Sequence, residues 1–220
     1  MAIGGYRKAA DLPQVIPVFP LDGAVLLPGA MLPLNIFEPR YLNMIDDAMA
    51  GDRMIGMIQT RDGGDRGRPN LATIGCAGRI TSFAETQDGR YLISLTGVCR
   101  FEIAAELGLQ TPYRQVRAGY LRFEADLQPA EEPPESARPA LFDALKRYLD
   151  SRGLAMDWND AKDAPMTALV NSLSCALPFD SQEKQALLEA ADCDERRFAL
   201  IALLRIDSAG PMDDEPQSLQ

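Results

Sequence analysis

The chain of 220 residues contains no histidine, and this absence removes the commonest catalytic side chain. Without imidazole, neither a Ser-His-Asp triad nor a Cys-His pair can form, and the usual general base near neutral pH is missing. A serine or threonine nucleophile activated by lysine remains possible in principle, and the lysines are Lys8, Lys146, Lys162 and Lys184. A lysine-assisted hydrolase is therefore the least favoured alternative, and the sequence predicts no catalytic residue.

The four cysteines do not form a metal-binding pattern. They are widely spaced, no two make a CxxC pair, and they lie at Cys76, Cys99, Cys175 and Cys193. Because no histidine is available, a structural zinc site would need all four thiolates from positions without ligand-like spacing. We expect reduced and mostly buried cysteines, no metal and no cofactor.

Long apolar runs and an excess of basic charge are also absent. Pro28, Gly29 and Pro33 break the longest apolar stretch near the amino terminus, well short of the roughly 20 residues that a membrane span needs. We therefore expect a soluble, cytoplasmic protein with no membrane segment. Residues 1–125 carry 13 basic and 13 acidic side chains, whereas residues 126–220 carry 9 basic and 19 acidic ones. The net charge of −10 thus lies in the second part, which disfavours nucleic acid and anionic membranes as partners.

Three prolines and two glycines organise the first quarter of the chain. Pro28-Gly29 suits a type II turn, because proline sets the φ of the first central position and glycine accepts positive φ at the second. Pro33 lies in an apolar run and cannot donate a ladder hydrogen bond, which predicts an edge strand or a bulge. Pro39 fits the first turn of a helix, and Gly51 follows as its stop. The predicted order is strand, helix, strand.

Further strands follow this segment. Asp88-Gly89 predicts a hairpin turn between strands at 81–85 and 91–96, and other strands are predicted at 53–59, 97–103 and 113–123. The glycine-rich residues 62–69 lack the lysine of a P-loop, and their composition favours a mobile hairpin loop. Beyond a segment rich in proline and glutamate, apolar stripes predict four helices, and Asp180 with Glu183 forms a capping-box pattern.

Several short motifs carry a resemblance to a known family. They are Val18-Phe19-Pro20-Leu21, Leu27-Pro28-Gly29, Phe37-Glu38-Pro39-Arg40-Tyr41, Asp88-Gly89-Arg90 and Gly97-Val98-Cys99-Arg100-Phe101. Over roughly residues 13–205, the chain resembles stand-alone proteins built on the amino-terminal, substrate-binding domain of the Lon protease, which lack its catalytic parts. The resemblance implies an α+β fold: a PUA-like mixed β-barrel with one short helix near 39–50, followed by a four-helix carboxy-terminal subdomain. It implies no chemistry.

This fold gives a prediction for the domains. We expect a PUA-like β-barrel domain at 13–125, a linker at 126–138, a helical subdomain at 139–206 and a disordered acidic tail at 207–220.

The motif residues have two interpretations. We interpret the following as structural: Pro28, Gly29, Glu38, Pro39, Arg40, Tyr41, Gly97, Arg100 and Phe101. For Glu38, Arg40 and Tyr41 this means a helix start with a cap, a surface ion pair and a packed ring. Direct contact with a ligand is the alternative for these three.

Methionines cluster in the same region as the motifs. Five of the nine are Met31, Met44, Met49, Met54 and Met57. An unbranched, polarizable side chain repacks against different apolar partners, as recognition of unfolded segments requires, although methionine also fills cores. The candidate peptide-binding residues are Met31, Leu34, Phe37, Met54 and Met57. The edge strand that carries Met31 could also accept an extended peptide as an added strand.

Two binding functions follow from these observations. The first is a non-enzymatic polypeptide-binding module for exposed apolar segments of unfolded proteins, with polypeptide clients or a protease as partners. The alternative is RNA binding, because PUA-like barrels bind RNA and several arginines lie in the charge-neutral part: Arg61, Arg66, Arg68, Arg114, Arg117 and Arg122. The sequence leaves the oligomeric state open.

Overall fold

The computed structural model describes residues 5–65, 67–108 and 110–209, except for the side chains of residues 159 and 160. Its strands are β1 (Val15–Pro20), β2 (Met31–Ile36), β3 (Met54–Ile58), β4 (Thr60–Asp65), β5 (Arg68–Leu71), β6 (Ile74–Glu85), β7 (Tyr91–Glu106) and β8 (Arg114–Gly119). Its α-helices are α1 (Pro39–Ala50), α2 (Arg138–Arg152), α3 (Trp158–Asp163), α4 (Met166–Ala176), α5 (Ser181–Glu189) and α6 (Cys193–Ala209). The chain is therefore an α+β protein, with one α-helix among the strands and the others after them.

Six strands form one mixed sheet that closes on itself, in the order β2-β7-β6-β3-β1-β8. Closure comes from β7, because its carboxy-terminal part pairs with β8, from Glu102 opposite Gly119 to Glu106 opposite Val116. Strands β1 and β3 run parallel, and the other pairs run antiparallel. The predicted mixed barrel is confirmed, whereas its PUA-like description stays a prediction.

Strand β2 lies outside the closed part of the sheet. Among the described residues it pairs with β7 alone, so its other side is a free edge there, as Pro33 predicted. The predicted turn before it is also present: the N–H of Ala30 donates to the carbonyl of Leu27 at 2.9 Å, and Gly29 has a φ of +77°. Helix α1 then begins at Pro39 and ends at Ala50, one residue before Gly51.

Two strands differ from their predicted bounds. Strand β7 runs without interruption through Gly97, where the sequence predicted two separate strands. Strand β8 ends at Gly119, because Tyr120 begins a turn into a 3-10 helix (Leu121–Leu127) that buries Phe123 and Leu127. The predicted loop at 62–69 is largely a ladder, since β4 and β5 pair there with each other. The Asp88-Gly89 hairpin between β6 and β7 is confirmed.

The helical part contains the four predicted helices and the additional short helix α3. The capping box at the start of α5 is confirmed: Asp180 accepts from the N–H of Glu183 at 2.7 Å, and the Glu183 carboxylate accepts from the N–H of Asp180 at 2.9 Å. The predicted linker contains a 3-10 helix (Glu135–Ala137). Helix α6 continues through Ala209, so the predicted tail began too early, and its remainder, 210–220, lies outside the described residues.

Two clusters of buried apolar side chains hold the molecule together. One fills the barrel and the space under α1, where Met44 and Ile45 are fully buried. The other joins α2, α4, α5 and α6 around Leu145, Tyr148 and Leu200. Leu188 of α5 belongs to the barrel cluster, so the helices pack directly on the barrel. None of the helices in the described ranges is both long and apolar enough to cross a lipid bilayer.

Candidate functional site

Arg100 of β7 joins the barrel to the helices. Its side chain is 4% exposed, and its Nε and Nη2 donate to the carboxylate of Asp126 at 2.9 Å each. The same guanidinium donates to backbone carbonyls at the end of α5, those of Leu188 (3.1 Å), Ala190 and Ala191 (3.3 Å). A helix leaves its last carbonyls without internal partners, and a cation there also suits the helix dipole. The position of Arg100 therefore gives it an architectural role.

Asn171 of α4 makes a second connection between the two parts. Its amide Nδ2 donates to the carbonyl of Pro28 at 2.9 Å, and its Oδ1 accepts from Arg196 of α6 at 3.0 Å. Arg196 also donates to the carbonyl of Leu187 at 2.8 Å. Burial lowers the pKa of Arg196 to about 10, and the nearby charge of Arg100 acts in the same direction. The helices thus hold the turn that precedes β2.

Gln59 makes a third connection. This side chain is 2% exposed, and its Nε2 donates to the carbonyl of Ser181 at 2.8 Å and to Oε1 of Gln185 at 3.0 Å. Its own Oε1 accepts from the N–H of Gly23 at 3.1 Å. These buried amide contacts leave no local pattern in the sequence, because each joins segments that are far apart in the chain.

Gly97 allows the Pro28-Gly29 turn to pack closely against strand β7. The N–H of Gly29 donates to the Gly97 carbonyl at 2.9 Å, and the N–H of Gly97 donates to the Ala30 carbonyl at 2.9 Å. A Cβ at position 97 would overlap the carbonyl of Leu27. Glycine is therefore required for this close approach of two backbones.

The start of α1 departs in one respect from its interpretation. Glu38 is the N-cap residue, yet its side chain makes no cap hydrogen bond and instead pairs with Arg40 at 2.8 Å. The ring of Tyr41 packs edge-on against Phe19 with 4.4 Å between centroids. Glu38 and Arg40 are both nearly half exposed, so this ion pair lies at the surface.

Met54 and Met57 do not line a surface, which corrects their assignment as peptide-binding residues. They are 2% and 1% exposed, because β3 lies between β6 and β1 in the closed sheet and all its residues are buried. Phe101 is fully buried in the same barrel, where its ring lies 6.4 Å from that of Tyr120. These side chains fill the core, which was the alternative for the methionines.

An exposed apolar surface lies beside the free edge of β2. It consists of Met31 (66% exposed), Phe37 (63%), Leu92 (46%) and the exposed Pro33, and we call these four residues the outer patch. Asn35 of β2 lies directly opposite Leu92 of β7, and alternate residues of a strand share a face. Met31, Pro33 and Leu92 therefore project from the same side of the sheet, and Phe37 directly follows β2.

Charge is missing from the strand segments around the outer patch. Strand β2, residues 91–96 of β7 and residues 80–84 of β6 contain no acidic or basic side chain, although a quarter of all residues are charged. Leu34, another candidate from the sequence, is half-buried on the opposite face of β2. The structure thus places Leu92 on the same face as Met31, with Phe37 just beyond the end of β2, and separates Leu34 from them.

The arginines of the RNA alternative do not form a continuous basic surface. Arg68 and Arg114 share the carboxylate of Glu106, with N–O distances of 2.6 and 2.7 Å. The hydrogen bond from Arg114 holds the pKa of Glu106 below its usual value. Arg122 lies 4.0 Å from Glu102, and the arginine at position 66 is outside the described residues.

Lys184 is the buried lysine of α5. Its ammonium donates to the carbonyl of Cys175 at 3.1 Å, and burial lowers its pKa. In the part of the chain that the structure describes, no lysine side chain hydrogen-bonds to a serine or threonine hydroxyl. The geometry that a lysine-assisted nucleophile needs is therefore not found among these residues.

A match to a family model shows to which known proteins the chain is related. Residues 15–205 match the model described as the ATP-dependent protease La (LON) substrate-binding domain. The chain belongs to the Lon substrate-binding domain family. The match extends from β1 to α6, so this family accounts for both the barrel and the helices, and the resemblance seen in the motifs is confirmed.

Curated relatives of this Lon substrate-binding domain are much longer than the chain. It is 27% identical to Lon protease 2 of Myxococcus xanthus over 216 residues, which cover 93% of the chain and 25% of that protein. It is also 27% identical to Lon protease 2 of Thermus thermophilus over 211 residues, with coverage of 90% and 25%. The chain thus spans about a quarter of the length of these Lon proteases.

Solved structures with the same fold include two Lon amino-terminal domains. The Lon N-terminal domain protein from Xanthomonas campestris superposes with a TM-score of 0.63 at 23% identity, covering 86% of this chain and 97% of that one. The N-terminal domain of the Mycobacterium avium complex Lon protease gives a TM-score of 0.61 at 19% identity, with the same coverage. At these identities the likeness concerns the fold.

Proposed function

We propose that the chain is a non-enzymatic module that binds exposed apolar segments of unfolded polypeptides on the outer patch. The observation that carries this proposal is the outer patch itself, an uncharged apolar surface on a member of the Lon substrate-binding domain family. Exposed large apolar side chains grouped on one uncharged part of a sheet are typical of interaction sites rather than of an inert exterior. Because the name of the family model refers to substrate binding, the ligand that we propose is another polypeptide.

The side chains of the outer patch supply the affinity in this proposal. Burial of apolar surface contributes about 25 cal/mol per Å², and it does not depend on the order of residues in the ligand. Met31 adapts to differently shaped side chains, and Phe37 offers a large ring. A surface of this kind therefore discriminates unfolded from folded proteins, since only unfolded ones expose long apolar segments.

In this proposal, addition of a ligand strand at the free edge of β2 contributes less affinity than the apolar side chains of the outer patch. Pro33 lacks an N–H, so the edge of β2 offers a ligand strand an interrupted row of donors. Native sheets use proline in this way against unwanted pairing. We therefore assign recognition to side chains on the face of the sheet, with the backbone edge in a minor role.

The partners in this proposal are polypeptide clients or a protease that receives them. The module acts in the cytoplasm and carries out no reaction itself. Support comes from the relatives, which are Lon proteases, and from the matched model, which is that of the substrate-binding domain alone.

The direct test compares one protein in two states. A disulfide-containing protein is titrated against the chain once in native form and once after reduction and carboxymethylation, which prevents refolding. We expect saturable binding of the unfolded form, no binding of the native form, and little change between low and high salt because the outer patch is uncharged. Equal or undetectable binding of both forms would refute the proposal.

A further inference from the structure

A polar cleft lies where the β4–β5 hairpin leaves the barrel, away from the outer patch. Its volume is about 440 Å³, within the range of sites that hold small ligands or a few residues of a peptide. The residues used below are Arg61 of β4, Asn70 and Leu71 of β5, Thr73, Ile103 of β7 and Arg114 of β8. The outer patch lies at the beginning of β7, whereas the cleft lies at its end.

The charges of the polar cleft leave room for one negative group. Arg114 and Arg68 are held by Glu106, so one of these two positive charges is compensated within the protein. Arg61 forms no ion pair and no side-chain hydrogen bond with any described residue, and Asp62 also lines the cleft. The two arginines and two carboxylates of the lining balance, and Arg68, which pairs with Glu106 from outside the lining, brings the local net charge to +1. This suits a single carboxylate better than a chain of phosphates.

Neutral polar groups beside Arg61 are suited to bind the backbone N–H of a carboxy-terminal residue. Asn70 lies directly opposite Arg61 in the β4–β5 ladder. Its Nδ2 donates to the Asp62 carbonyl at 3.2 Å, while no described residue donates to its Oδ1. The hydroxyl of the exposed Thr73 is likewise without a partner among the described residues. An arginine and an amide oxygen on one face match a terminal carboxylate and the N–H of the same residue.

We propose that the polar cleft binds the carboxy-terminal residue of a polypeptide. The guanidinium of Arg61 holds the terminal carboxylate in a charge-assisted pair, and Oδ1 of Asn70 accepts the N–H of that residue. The half-buried side chains of Leu71 and Ile103 contact its apolar side chain. This inference rests on the proposed polypeptide-binding function and adds to it a second subsite that recognises chain ends.

Paired peptides test the inference with the full chain. A short, amino-terminally acetylated and fluorescently labelled peptide that ends in leucine is prepared with a free carboxylate and as the amide. Fluorescence anisotropy is expected to show roughly tenfold or tighter binding of the free acid, as loss of one charge-assisted hydrogen bond predicts. R61Q is expected to remove this preference, and R61K to retain part of it because the charge stays. R117Q, at an exposed arginine outside the cleft, serves as the matched control and should change nothing.

The outcomes separate this inference from the proposed function. Equal binding of acid and amide by the native chain overturns the inference. An unchanged preference in R61Q overturns it as well. If neither peptide binds while the carboxymethylated protein still does, the inference fails and the outer-patch function stands. Salt-sensitive binding of a single-stranded RNA that R61Q abolishes and the free-acid peptide does not displace would assign the cleft to nucleic acid and overturn the inference.

Discussion

The guanidinium of Arg100 and the carboxylate of Asp126 form a buried, two-pronged ion pair with both N–O distances at 2.9 Å. The pair lies against the end of α5, whose carbonyls take the remaining donors of Arg100. It therefore couples folding of the barrel to docking of the helices. An arginine with this many partners acts as a structural bridge and is not free to contact a ligand.

Replacement of Arg100 should destabilise the whole chain. R100A leaves the Asp126 carboxylate, 10% exposed, without its cation and removes a hydrogen-bond donor from each of three carbonyls. Loss of one partner of a buried pair costs about 3–5 kcal/mol, and a fall of this size in the free energy of unfolding is expected in urea titrations. The matched control is R90A, since Arg90 pairs with Asp88 at the surface. Equal effects of both substitutions would contradict a structural bridge at Arg100.

Gly97 should not tolerate a side chain. In G97A the new methyl group meets the Leu27 carbonyl, and the turn before β2 must move away from β7. We expect a loss of about 3 kcal/mol in the free energy of unfolding, at the upper end for overpacking. G108A is the control, because a Cβ at Gly108 has no neighbour within 4 Å. If G97A unfolded at the same urea concentration as the wild type, the close approach would not be needed.

Pro33 should limit self-association through the edge of β2. P33A restores a backbone N–H in a strand whose other side has no partner strand within the described chain. We expect more light scattering and earlier elution in size-exclusion chromatography at high protein concentration. P112A, at an exposed proline outside the strands, controls for a general effect of losing a proline. Identical behaviour of P33A and wild type would show that the edge is protected by other means.

Buried thiols should make the chain less stable in alkali. Burial raises the pKa of Cys76 and Cys99 well above the ordinary 9.0, and raises that of Cys175 to about 11. Above pH 9 the unfolded chain ionises these thiols while the folded chain keeps them protonated. Each thiol therefore lowers the free energy of unfolding by up to about 1.4 kcal/mol per pH unit, and its contribution is fully present only below pH 9.

The measurement is the urea midpoint of wild type and C76A between pH 7 and 10. C76A is expected to start from a lower stability because of the cavity, and then to lose less of it as the pH rises above 9. Parallel curves for both proteins would mean that the Cys76 thiol ionises as readily in the folded state as in the unfolded one.

Local signals predicted much of the fold correctly. Pro28-Gly29, Pro39 and the Asp180 capping box each act within a few residues, so sequence spacing alone carries their meaning. Strand β6 shows where such signals end. Near its start, Gly75, Ala77 and Gly78 are small and have low strand propensity, so no strand was predicted before Thr81. Pairing with β3 and β7 on both sides overrides this local preference.

The candidate site was predicted in part. Met31 and Phe37 are exposed, but Met54 and Met57 are buried. The sequence does not separate these two cases, because a strand covered on both faces has the same apolar composition as an exposed apolar binding surface. Leu92 was not among the candidates, since only the pairing of β2 with β7 places it opposite Asn35, on the same face as Met31. The roles of Arg100 and other buried polar residues depend on partners distant in the chain, which a single sequence does not reveal.

The most direct test of the central claim is the affinity of an outer-patch variant for an unfolded protein. The double variant M31S/F37S removes the two most exposed apolar side chains of the outer patch, whereas L121S removes one that is 80% exposed in the 3-10 helix after β8. With a reduced, carboxymethylated protein as ligand, M31S/F37S is expected to bind at least about tenfold more weakly at unchanged stability, and L121S to bind like wild type. Unchanged affinity of M31S/F37S would contradict the account.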